Sequence, residues 1–517
     1  MSGAQRYYLT TPIYYVNDVP HIGHAYTTLA CDVLARFMRL DGFDVKFLTG
    51  TDEHGQKVEK AAANAGMTPQ AFADMNAANF FNLAKLMGYS NDDFIRTTEP
   101  RHIASAQHLW QEMAKRGHIY LGSYAGWYAM RDEAFYGEGE LTVGPGGKKL
   151  APTGAEVEWV EEPSYFFDLS KWQDKLLAFY DAHPDFVLPA TRFNEVRRFV
   201  EGGLQDLSIS RTSFKWGIPV PGDEKHVMYV WLDALTNYMS AVGYPDIASA
   251  DFTHYWPADL HMVGKDIVRF HAVYWPAFLM AAGLEPPKRV FAHGWWTNEG
   301  QKISKSLGNV IDPVKLVETY GLDPVRYFLL REVPFGNDGD FSHKQMINRL
   351  NGDLANALGN LVQRTLSLIA KNCEGQLPTP GAVSAEDTTL LAEAHRLLDQ
   401  LREMLQRQAF HEAFDAIWSV VRSANGYIDA QAPWTLRKTD PARMASVLYT
   451  LSEVIRHLAL VMQPFTPTAA GRILDQLAVA ADRRSFAAFG PGHALQPGTP
   501  LPPPAGVFPR FTETPAG

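Results

Sequence analysis

The sequence predicts an α/β fold: a doubly wound, Rossmann-like parallel sheet that is split by an inserted connective module and followed by an α-helical bundle. Over the first 115 residues, short β-prone runs alternate with segments of helical periodicity, as in parallel sheets covered by helices. Between about residues 116 and 225, glycine, proline and aromatic residues crowd together. From about 343 to 475, leucines recur at helical spacing, which indicates a bundle.

The first half of the sheet is predicted from two strands and two helices. The run 7–10 is β-prone and predicts the first strand. Apolar residues then fall at helical spacing from His24 to Leu40, and Gly42 ends this predicted helix. The run 45–48 is the next strand. Thr68, followed by a proline, has the form of a helix start, with a capping residue before a proline in the first turn.

The residue composition changes at several points in the middle and at the end of the chain. Residues 144–147, Gly-Pro-Gly-Gly, are a turn signal inside the inserted module. Strand character resumes at 227–230 and continues at 260–263 and 289–292. The stretch after Gly490 holds eight prolines, which predicts an irregular segment on the surface.

These changes divide the chain into six predicted segments, which are 1–115, 116–225, 226–320, 321–370, 371–490 and a proline-rich tail at 491–517.

The composition is that of a soluble globular protein. Of 517 residues, 46% are hydrophobic and 20% charged, and the formal net charge is −10. This charge excludes a surface that is basic throughout, although a local patch can still bind RNA. The two cysteines, Cys31 and Cys373, are too few for a disulfide framework or a cysteine-rich zinc site. With no signal-peptide core and no membrane-length apolar run, we expect a cytoplasmic protein.

Residues 21–24, His-Ile-Gly-His, come between the first predicted strand and its helix. In a doubly wound sheet, ligands bind at the carboxyl ends of strands, where helix N-termini offer N–H groups to phosphate. Gly23 lets a nucleotide approach the backbone, and His21 and His24 can both donate hydrogen bonds to it. A loop that happens to contain two histidines is the alternative.

Residues 302–306, Lys-Ile-Ser-Lys-Ser, form a second cluster of hydrogen-bond donors. Lys302, Lys305 and the two serines can close over a triphosphate and stabilise the charge on leaving pyrophosphate. Taken alone, the segment is better explained as a solvated surface turn. Together with residues 21–24 it predicts ATP activation, because each segment supplies what the other lacks.

These two segments resemble the HIGH and KMSKS signatures of class I aminoacyl-tRNA synthetases, with Ile303 in place of methionine. Longer stretches narrow the resemblance to the methionyl-tRNA synthetases, over about residues 6 to 470. These stretches are TPIYYVN at 11–17, TGTDEHG at 49–55, YVWLDA at 229–234 and GKDIVRFH at 264–271.

The resemblance gives the predicted segments functional names: the first half of the catalytic domain (1–115), a connective or knuckle module without zinc ligands (116–225), the second half of the catalytic domain (226–320), a stem-contact linker region (321–370) and a helical anticodon-binding domain (371–490). It implies an enzyme that ligates L-methionine to its tRNA through a methionyl-adenylate, releasing AMP and pyrophosphate, for translation initiation and elongation. ATP with Mg²⁺ is the implied cofactor. The implied partners are methionine, ATP and methionine-accepting tRNA, both initiator and elongator, with no membrane partner.

By resemblance, the wall of the methionine side-chain pocket consists of Ile13, Tyr15, Trp231, Ala234, Tyr238, Ile267, His271 and Trp275. Aromatic rings suit a polarisable thioether, and His271 or Tyr238 can donate a weak hydrogen bond to its sulfur. Without the resemblance, ordinary core packing is the better explanation of Trp231 and Trp275.

Asp52 resembles the carboxylate that anchors the substrate's α-amino group. Its position just after a strand suits a buried charge partner, but capping of the next helix is an equally good explanation from the sequence alone.

The ATP site is likewise assigned by resemblance. Gly264 and Asp266 match the ribose-binding strip. His21, Gly23 and His24 match the residues around the phosphates and adenine. Lys305 matches the lysine that contacts the phosphates most directly, supported by Lys302. The resemblance gives catalytic roles to His21, His24, Lys302 and Lys305.

Three residues of the helical region resemble the anticodon reader. Asn360 and Arg364 lie four residues apart on one helix face, and Trp434 follows a proline. Stacking combined with hydrogen bonds to unstacked bases is the usual way in which RNA loops are read. A solvated helix face and a packed corner remain the alternatives.

The sequence departs from many relatives in the inserted module. The stretches 128–133 and 150–154 correspond to a zinc knuckle but contain no cysteine, so we expect no structural zinc and stabilisation by packing and turns. The chain also lacks the extra tRNA-binding, dimerising domain that some relatives append, and we therefore expect a monomer.

Three other functions are compatible with parts of the pattern. A synthetase for another amino acid is the nearest, but the large aliphatic-specific relatives carry an editing domain for which 116–225 is too short. A nucleotidyltransferase of the same fold has no need of a helical anticodon reader. A non-catalytic tRNA-binding descendant has no need of intact signature histidines and lysines.

Overall fold

The computed structural model describes residues 4–17, 19–303 and 308–512. Lys305, to which the sequence assigns a catalytic role, lies outside the described residues. The described chain divides into two compact units. We call residues 6–20 and 46–293 the sheet unit, and residues 4–5, 21–45 and 294–512 the helical unit.

The strands are short, except for β3, β5 and β9. In chain order they are β1 (Arg6–Thr10), β2 (Tyr14–Tyr15), β3 (Asp44–Asp52), β4 (Asp93–Arg96), β5 (Ile119–Ala129), β6 (Ala134–Tyr136), β7 (Thr142–Val143), β8 (Lys149–Leu150), β9 (Glu158–Phe167), β10 (Val187–Leu188), β11 (Leu207–Ser208), β12 (Ser210–Arg211), β13 (Pro219–Val220), β14 (Asp223–Met228), β15 (Leu260–Gly264), β16 (Val290–His293), β17 (Trp296–Asn298), β18 (Gln301–Lys302) and β19 (Gly339–Phe341).

The longest helices lie in the last third of the chain, and two π-helical segments, Phe270–Tyr274 and Leu350–Gly359, interrupt the α-helical pattern. The α-helices are α1 (Ile22–Leu40), α2 (Gln56–Asn64), α3 (Pro69–Leu86), α4 (Pro100–Lys115), α5 (Gln173–Ala182), α6 (Ala190–Glu201), α7 (Val230–Ser240), α8 (Ala250–Tyr255), α9 (Trp275–Ala281), α10 (Pro313–Tyr320), α11 (Leu322–Arg331), α12 (His343–Arg349), α13 (Asn360–Asn372), α14 (Ala385–Gln406), α15 (Phe410–Gln431), α16 (Pro433–Thr439), α17 (Pro441–Met462) and α18 (Pro467–Gln476).

The sheet unit is built on a parallel sheet, as the sequence predicts. Its strand order is β10-β16-β15-β1-β3-β2, and β4 also pairs with β3. The pairs β1–β15, β15–β16, β10–β16, β2–β3 and β3–β4 are all parallel. The strand β10, from within the segment 116–225, lies at one edge of this sheet. Parallel pairing brings the carboxyl ends of the strands to one edge, where ligands bind in such folds.

Local sequence explains where these elements begin and end. The Thr68 side chain accepts a hydrogen bond from the Ala71 backbone N–H at the start of α3, with a proline in the first turn, as predicted. Helix α1 begins at Ile22, two residues before the predicted start. Gly42 follows α1 with a φ of 88°, a left-handed conformation that glycine adopts without steric cost.

One large apolar core supports the sheet unit. Fully buried residues from β1, β3, α4, α7 and α9 pack together, among them Tyr8, Leu48, Leu109, Leu232 and Phe278. Burying apolar surface on this scale is the main stabilising contribution to a domain of this size. The core therefore gives the carboxyl edge of the sheet a rigid base.

The inserted module contains a long antiparallel hairpin of β5 and β9. Their ladder runs from the pair Ile119–Phe167 to the pair Tyr128–Glu158. Within the predicted turn, Gly146 and Gly147 have φ values of 73° and 77°, which favour glycine.

Two turns at the tip of this hairpin hold each other by hydrogen bonds. The Arg131 Nη2 donates to the Thr153 carbonyl at 2.6 Å, and the Thr153 hydroxyl donates to the Asp132 carboxylate, which also accepts from the Tyr136 hydroxyl. Small apolar residues around Ala129 pack beneath them. These are the two stretches in which the sequence predicts turns and packing in place of a zinc knuckle.

The helical unit contains the predicted bundle, in which α14, α15 and α17 pack against one another. Of the described helices, α17 alone is long and apolar enough to cross a membrane, and it is mostly buried inside the unit, as a core helix of a soluble protein would be.

Helix α1 belongs to the helical unit and is joined to it by a buried ion pair. The Arg326 Nη2 donates to the Asp32 carboxylate at 2.7 Å and to the Pro464 carbonyl at 2.8 Å. The Arg326 Nε donates to the Phe465 carbonyl at 3.0 Å. Both charged side chains have no solvent exposure, so these hydrogen bonds must compensate for the loss of hydration.

Candidate functional site

The carboxyl edge of the parallel sheet carries two of the residues singled out in the sequence. Asp52 is the last residue of β3, and Gly264 is the last residue of β15. At Gly264 a Cβ atom would lie 2.5 Å from the Asp266 carboxylate, so only glycine leaves room for this side chain to fold back. The Asp266 carboxylate thus lies close to the Gly264 backbone at the strand end.

Asp52 is a buried carboxylate without a complete set of partners. Its Oδ1 is buried and has no hydrogen-bond partner. Burial, followed by the charges of Asp233, Glu133 and Glu53, raises the pKa of Asp52 well above its usual range, while the His54 backbone N–H opposes this. It does not cap α2, where Gly55 occupies the N-cap without a side-chain hydrogen bond. A cationic group bound at Oδ1 would make the ionised form of Asp52 favourable again, because it would supply an opposite charge and a hydrogen-bond donor.

A buried hydrogen-bonded group of side chains lies behind Asp52. The Asp233 carboxylate contacts His54 Nδ1 and His102 Nε2, both at 2.7 Å, and His102 Nδ1 contacts the Ser240 hydroxyl at 3.0 Å. Burial raises the pKa of Asp233, but the contacts with His54 and His102 lower it by a larger amount, so that this pKa is about 2. This group holds the backbone that turns from β3 into α2. Its members His54 and Asp233 lie in the stretches 49–55 and 229–234 that carry the family resemblance, which were the signal that could have identified them.

Several predicted pocket residues form a connected aromatic group in the sheet unit. The Tyr238 hydroxyl lies 2.6 Å from His271 Nε2, and the Tyr238 ring packs against Trp275 with centroids 6.1 Å apart. Trp275 is fully buried, as core packing requires, and its Nε1–H donates to His261 Nε2 at 3.2 Å. The structure therefore brings Tyr238, His271 and Trp275 together, with His261 as a fourth member that the sequence analysis missed.

The hydrogen bonds of this group leave no ring donor for a thioether. His271 Nδ1 lies 2.9 Å from the Ile267 carbonyl, which only accepts, so Nδ1 carries the proton. His271 Nε2 must then accept from the Tyr238 hydroxyl. In this arrangement both protons are used within the group, so the predicted hydrogen bond from His271 or Tyr238 to a methionine sulfur would require one of these two bonds to break.

Burial keeps both histidines of this group neutral. It lowers the pKa of His271 to about 4, against a small opposing effect of the Ile267 carbonyl. It also lowers the pKa of His261 well below its usual range, helped by His271. The group therefore presents an uncharged, polarisable surface at physiological pH.

Trp231 is half-buried and stacks on a ring that was not predicted. Its ring lies parallel to Phe270, with centroids 3.9 Å apart, and meets the edge of His271 at 6.1 Å. Phe270 and His271 begin the π-helical segment, and such segments are frequent at functional sites. Phe270 lies within the stretch 264–271, which was the signal that could have identified it.

The remaining predicted wall residues surround the same core. Ile13, Tyr15 and Ile267 are partly buried against it, and Ala234 is buried within α7. The Tyr15 hydroxyl lies 2.7 Å from the His54 carbonyl and 2.6 Å from the Glu133 carboxyl group.

In the helical unit, His21 and His24 form the N-terminal cap of α1. The His21 ring accepts from the Gly23 backbone N–H at 3.1 Å, and the His24 ring accepts from the His21 backbone N–H at 3.1 Å. Both contacts use Nδ1, so the proton of each neutral ring is on Nε2. Burial and the nearby His21 lower the pKa of His24 well below its usual range. The cap thus fixes the tautomer that donates through Nε2.

Lys302 lies at the end of β18, in a small sheet of the helical unit with the order β18-β17-β19. The Asn309 side chain donates to the Lys302 carbonyl at 3.0 Å, and the Asn298 side chain donates to the Asn309 carbonyl at 2.8 Å. These bonds join the two described ends of the segment that contains Lys305. The Lys302 side chain itself is exposed.

The predicted RNA-reading residues lie on one face of the helical unit. The Arg364 guanidinium lies 5.2 Å from the centre of the Trp434 ring and donates to the Asp429 carboxylate at 2.6 Å. Trp434 is 40% exposed, so it is not a packed corner. Asn360 is exposed one helical turn before Arg364 on α13. The face therefore offers an open ring beside a fixed guanidinium.

Among the described residues, no group of three or more His, Cys, Asp or Glu side chains is arranged to hold a metal ion.

Two family models match nearly the whole chain. The family described as "tRNA synthetases class I (M)" matches residues 7–366, and "Anticodon binding domain of methionyl tRNA ligase" matches residues 377–516.

Individual relatives match over their full length. The chain is 59% identical to a methionine–tRNA ligase of Mesorhizobium japonicum, over 99% of each chain. It superimposes on the Mycobacterium tuberculosis methionyl-tRNA synthetase in complex with methionyl-adenylate with a TM-score of 0.96 and 54% identity, over 98% of this chain and 100% of that one. For the free-state form of the same enzyme, the TM-score is 0.90 at 51% identity, over 99% and 100% of the two chains.

Proposed function

We propose residue roles from the premise that the chain belongs to the methionyl-tRNA synthetases, a family of class I aminoacyl-tRNA synthetases. The reaction is the ATP-dependent ligation of L-methionine to tRNA. The methionine carboxylate attacks the α-phosphorus of ATP, which gives methionyl-adenylate and pyrophosphate. The terminal ribose hydroxyl of the tRNA then takes the methionyl group and AMP leaves.

The proposed methionine site depends chiefly on the unpartnered Oδ1 of Asp52. A buried carboxylate oxygen without a hydrogen bond is costly, and an α-ammonium group would supply both the missing donor and the missing charge. Its neighbours in this site are the neutral aromatic residues and the apolar side chains described above. The full wall is Ile13, Tyr15, Trp231, Ala234, Tyr238, Ile267, His271 and Trp275, to which we add Phe270.

The aromatic wall would select for methionine by contact and shape. A thioether gains dispersion and sulfur–aromatic contact from rings such as Trp231, while a charged side chain would lose its hydration without a partner. Because the ring protons of His271 and Tyr238 are already used, we propose no hydrogen bond to the sulfur.

In this proposal the phosphates of ATP are bound by His21, His24 and the start of α1. The Nε2–H groups of both rings donate to phosphate oxygens, and Gly23 keeps the backbone accessible at the positive end of the helix. Lys302 and Lys305 stabilise the charge that develops on pyrophosphate. Gly264 and Asp266 bind the ribose. No covalent bond to the protein is needed, so positioning and charge stabilisation carry the catalysis.

We propose that ATP is used together with Mg²⁺, a hard cation that would supply charge neutralisation at the phosphates. The proposed tRNA partners are the initiator and elongator methionine tRNAs. We further propose a cytoplasmic monomer.

ATP–pyrophosphate exchange across the twenty amino acids tests the substrate assignment. We expect stimulation by methionine alone, because only a flexible apolar side chain bearing a polarisable sulfur gains from the aromatic wall. A reaction without added amino acid gives the background rate. Stimulation by isoleucine, leucine or valine equal to that by methionine would contradict the proposed pocket.

Arg364→Ala tests the proposed anticodon face. We expect a loss of about 10- to 100-fold in kcat/KM for tRNA, in line with 1–3 kcal/mol for a base contact, and unchanged pyrophosphate exchange. Arg422→Ala, at an exposed position of α15, is the matched control. An equal loss in charging and in exchange would instead identify Arg364 as a structural residue.

A further inference from the structure

Glu133 occupies the cysteine-free turn of the inserted module and contacts the wall of the proposed methionine site. Its carboxyl Oε1 lies 2.6 Å from the Tyr15 hydroxyl, and its backbone carbonyl accepts from the Tyr229 hydroxyl at 3.0 Å. The Glu133 side chain is buried, and buried acidic residues almost always have a partner, which is here the Tyr15 hydroxyl. In the sequence, Glu133 is the last residue of the stretch 128–133, which contains no cysteine.

The backbone around this contact is specialised on both sides. Glu133 has a φ of 49°, a left-handed conformation that a glutamate rarely adopts, and such outliers concentrate at functional sites. Gly55 faces it with a φ of 108°, and a Cβ there would lie 2.3 Å from the Tyr15 hydroxyl and 2.8 Å from Glu133 Oε1. The turn, the hydroxyl and the start of α2 therefore meet at one point.

A count of protons at this point defines the state of Glu133. The Tyr15 hydroxyl oxygen has two oxygens at hydrogen-bond distance, the His54 carbonyl at 2.7 Å and Glu133 Oε1 at 2.6 Å. A hydroxyl has one proton to donate, and a carbonyl can only accept. If the Tyr15 hydroxyl donates its proton to the His54 carbonyl, the contact between the same hydroxyl oxygen and Glu133 Oε1 needs a second proton. Only the Glu133 carboxyl group can supply it.

We propose that Glu133 is a positioning residue for methionine: in its protonated form it donates to the Tyr15 hydroxyl and holds that ring in the wall of the methionine site. The inference rests on the proposed function of Tyr15. The inserted module thereby acts on substrate binding through one carboxyl group, without touching the substrate.

The surroundings of Glu133 agree with a neutral carboxyl group. Burial raises the pKa of Glu133 to about 7, against the opposing effects of Tyr15, Lys57 and Arg211. Three further titratable groups on neighbouring elements interact with the Glu133 charge, namely Asp52, Tyr128 and Tyr229. The Lys57 ammonium lies 4.8 Å from the Tyr15 ring centre and donates to the Arg131 carbonyl.

The test compares Glu133→Ala with Glu133→Gln in methionine-dependent pyrophosphate exchange. We expect the alanine variant to raise the KM for methionine about tenfold, the usual effect of losing one such hydrogen bond, with kcat and the KM for ATP changed less than about twofold. Glutamine mimics the protonated acid, since its amide can donate to Tyr15, and should restore KM to within about twofold. Glu161→Gln, at an exposed position of the same hairpin, is the matched control.

The pH profile separates positioning from a merely structural role. Because the protonated form is the active one, the KM of the wild type should rise relative to that of Glu133→Gln between about pH 6 and 8. Asp52 titrates in both proteins, so only the ratio of the two KM values reports on Glu133. A constant ratio, or a glutamine variant as impaired as the alanine variant, would overturn the proposal.

A double-mutant cycle with Tyr15→Phe separates this proposal from the proposed methionine site. We expect Glu133→Ala to add nothing once the Tyr15 hydroxyl is gone, and additive effects would refute the link. If Tyr15→Phe and Asp52→Asn both leave the KM for methionine unchanged, the methionine site itself is wrong. If those two raise KM and Glu133→Ala does not, only the role of Glu133 fails.

Discussion

Replacement of Asp52 by asparagine is expected to raise the KM for methionine about 100-fold in pyrophosphate exchange and to leave the KM for ATP within about twofold. The expected size follows from the 2–5 kcal/mol that is lost when one member of a buried, hydrogen-bonded charge pair is removed, at 1.4 kcal/mol per factor of ten. Asparagine keeps the shape of the side chain and removes only its charge and one acceptor.

The structure supplies the reason for so large an effect. Asp52 Oδ1 is buried without a partner, and burial together with three neighbouring carboxylates raises the pKa of Asp52. Without ligand the ionised form is therefore disfavoured, and a bound ammonium favours it. As the pH falls through this raised pKa, Asp52 is protonated and methionine binding should weaken. Asparagine should abolish that acid-side dependence.

Asp174→Asn, at an exposed position of α5, is the matched control for this measurement. Methionine KM and thermal unfolding should both stay at wild-type values in the control. A normal methionine KM in Asp52→Asn would show that the substrate ammonium is bound elsewhere.

Replacement of His24 by alanine is expected to lower the maximal rate of exchange about 100- to 1,000-fold and to leave the KM for methionine within about threefold. One preorganised donor aimed at developing charge is worth that much in kcat. His24 is suited to this because the His21 backbone N–H occupies its Nδ1, which keeps the proton on Nε2. Its lowered pKa keeps the ring neutral, so its donation should not change between about pH 6 and 8.

The glutamine variant His24→Gln separates chemistry from folding. At the third position of a helix, glutamine can still accept from the N-cap backbone N–H, so the capping box of α1 is retained. We expect wild-type thermal stability with slow exchange for this variant. Near-normal turnover in His24→Ala at saturating methionine would refute a role of the ring in adenylate formation.

The fold was largely predictable because its signals are local. The cap at Thr68, the helix that ends before Gly42 and the helical spacing of the leucines from Leu350 to Leu366 depend on neighbouring residues, and the structure confirms all three. The edge strand β10 was not predictable, since its two residues pair with a strand about 100 positions later. Neither was the membership of α1 in the helical unit.

The candidate site divides in the same way. Asp52 and His271 were identified from stretches that resemble a family, but resemblance did not show that one lacks a partner and that the other has both nitrogens occupied. Glu133 escaped notice because its partner Tyr15 is 118 positions away, so no local pattern joins them. Proton counts require coordinates, so the sequence could not show that a hydrogen bond to sulfur would have to break one of the His271 contacts.

The anchoring of α1 limits how this protein can be divided or recombined. The Arg326 guanidinium donates to the Asp32 carboxylate on α1. It also donates to the backbone carbonyls of Pro464 and Phe465, which lie more than 130 residues after it in the chain. A truncation that removes the C-terminal helices would leave a buried guanidinium short of acceptors beside the helix that carries His24. Chimaeras between relatives should therefore exchange the helical region and α1 together, although they are separated by more than 250 residues in the sequence.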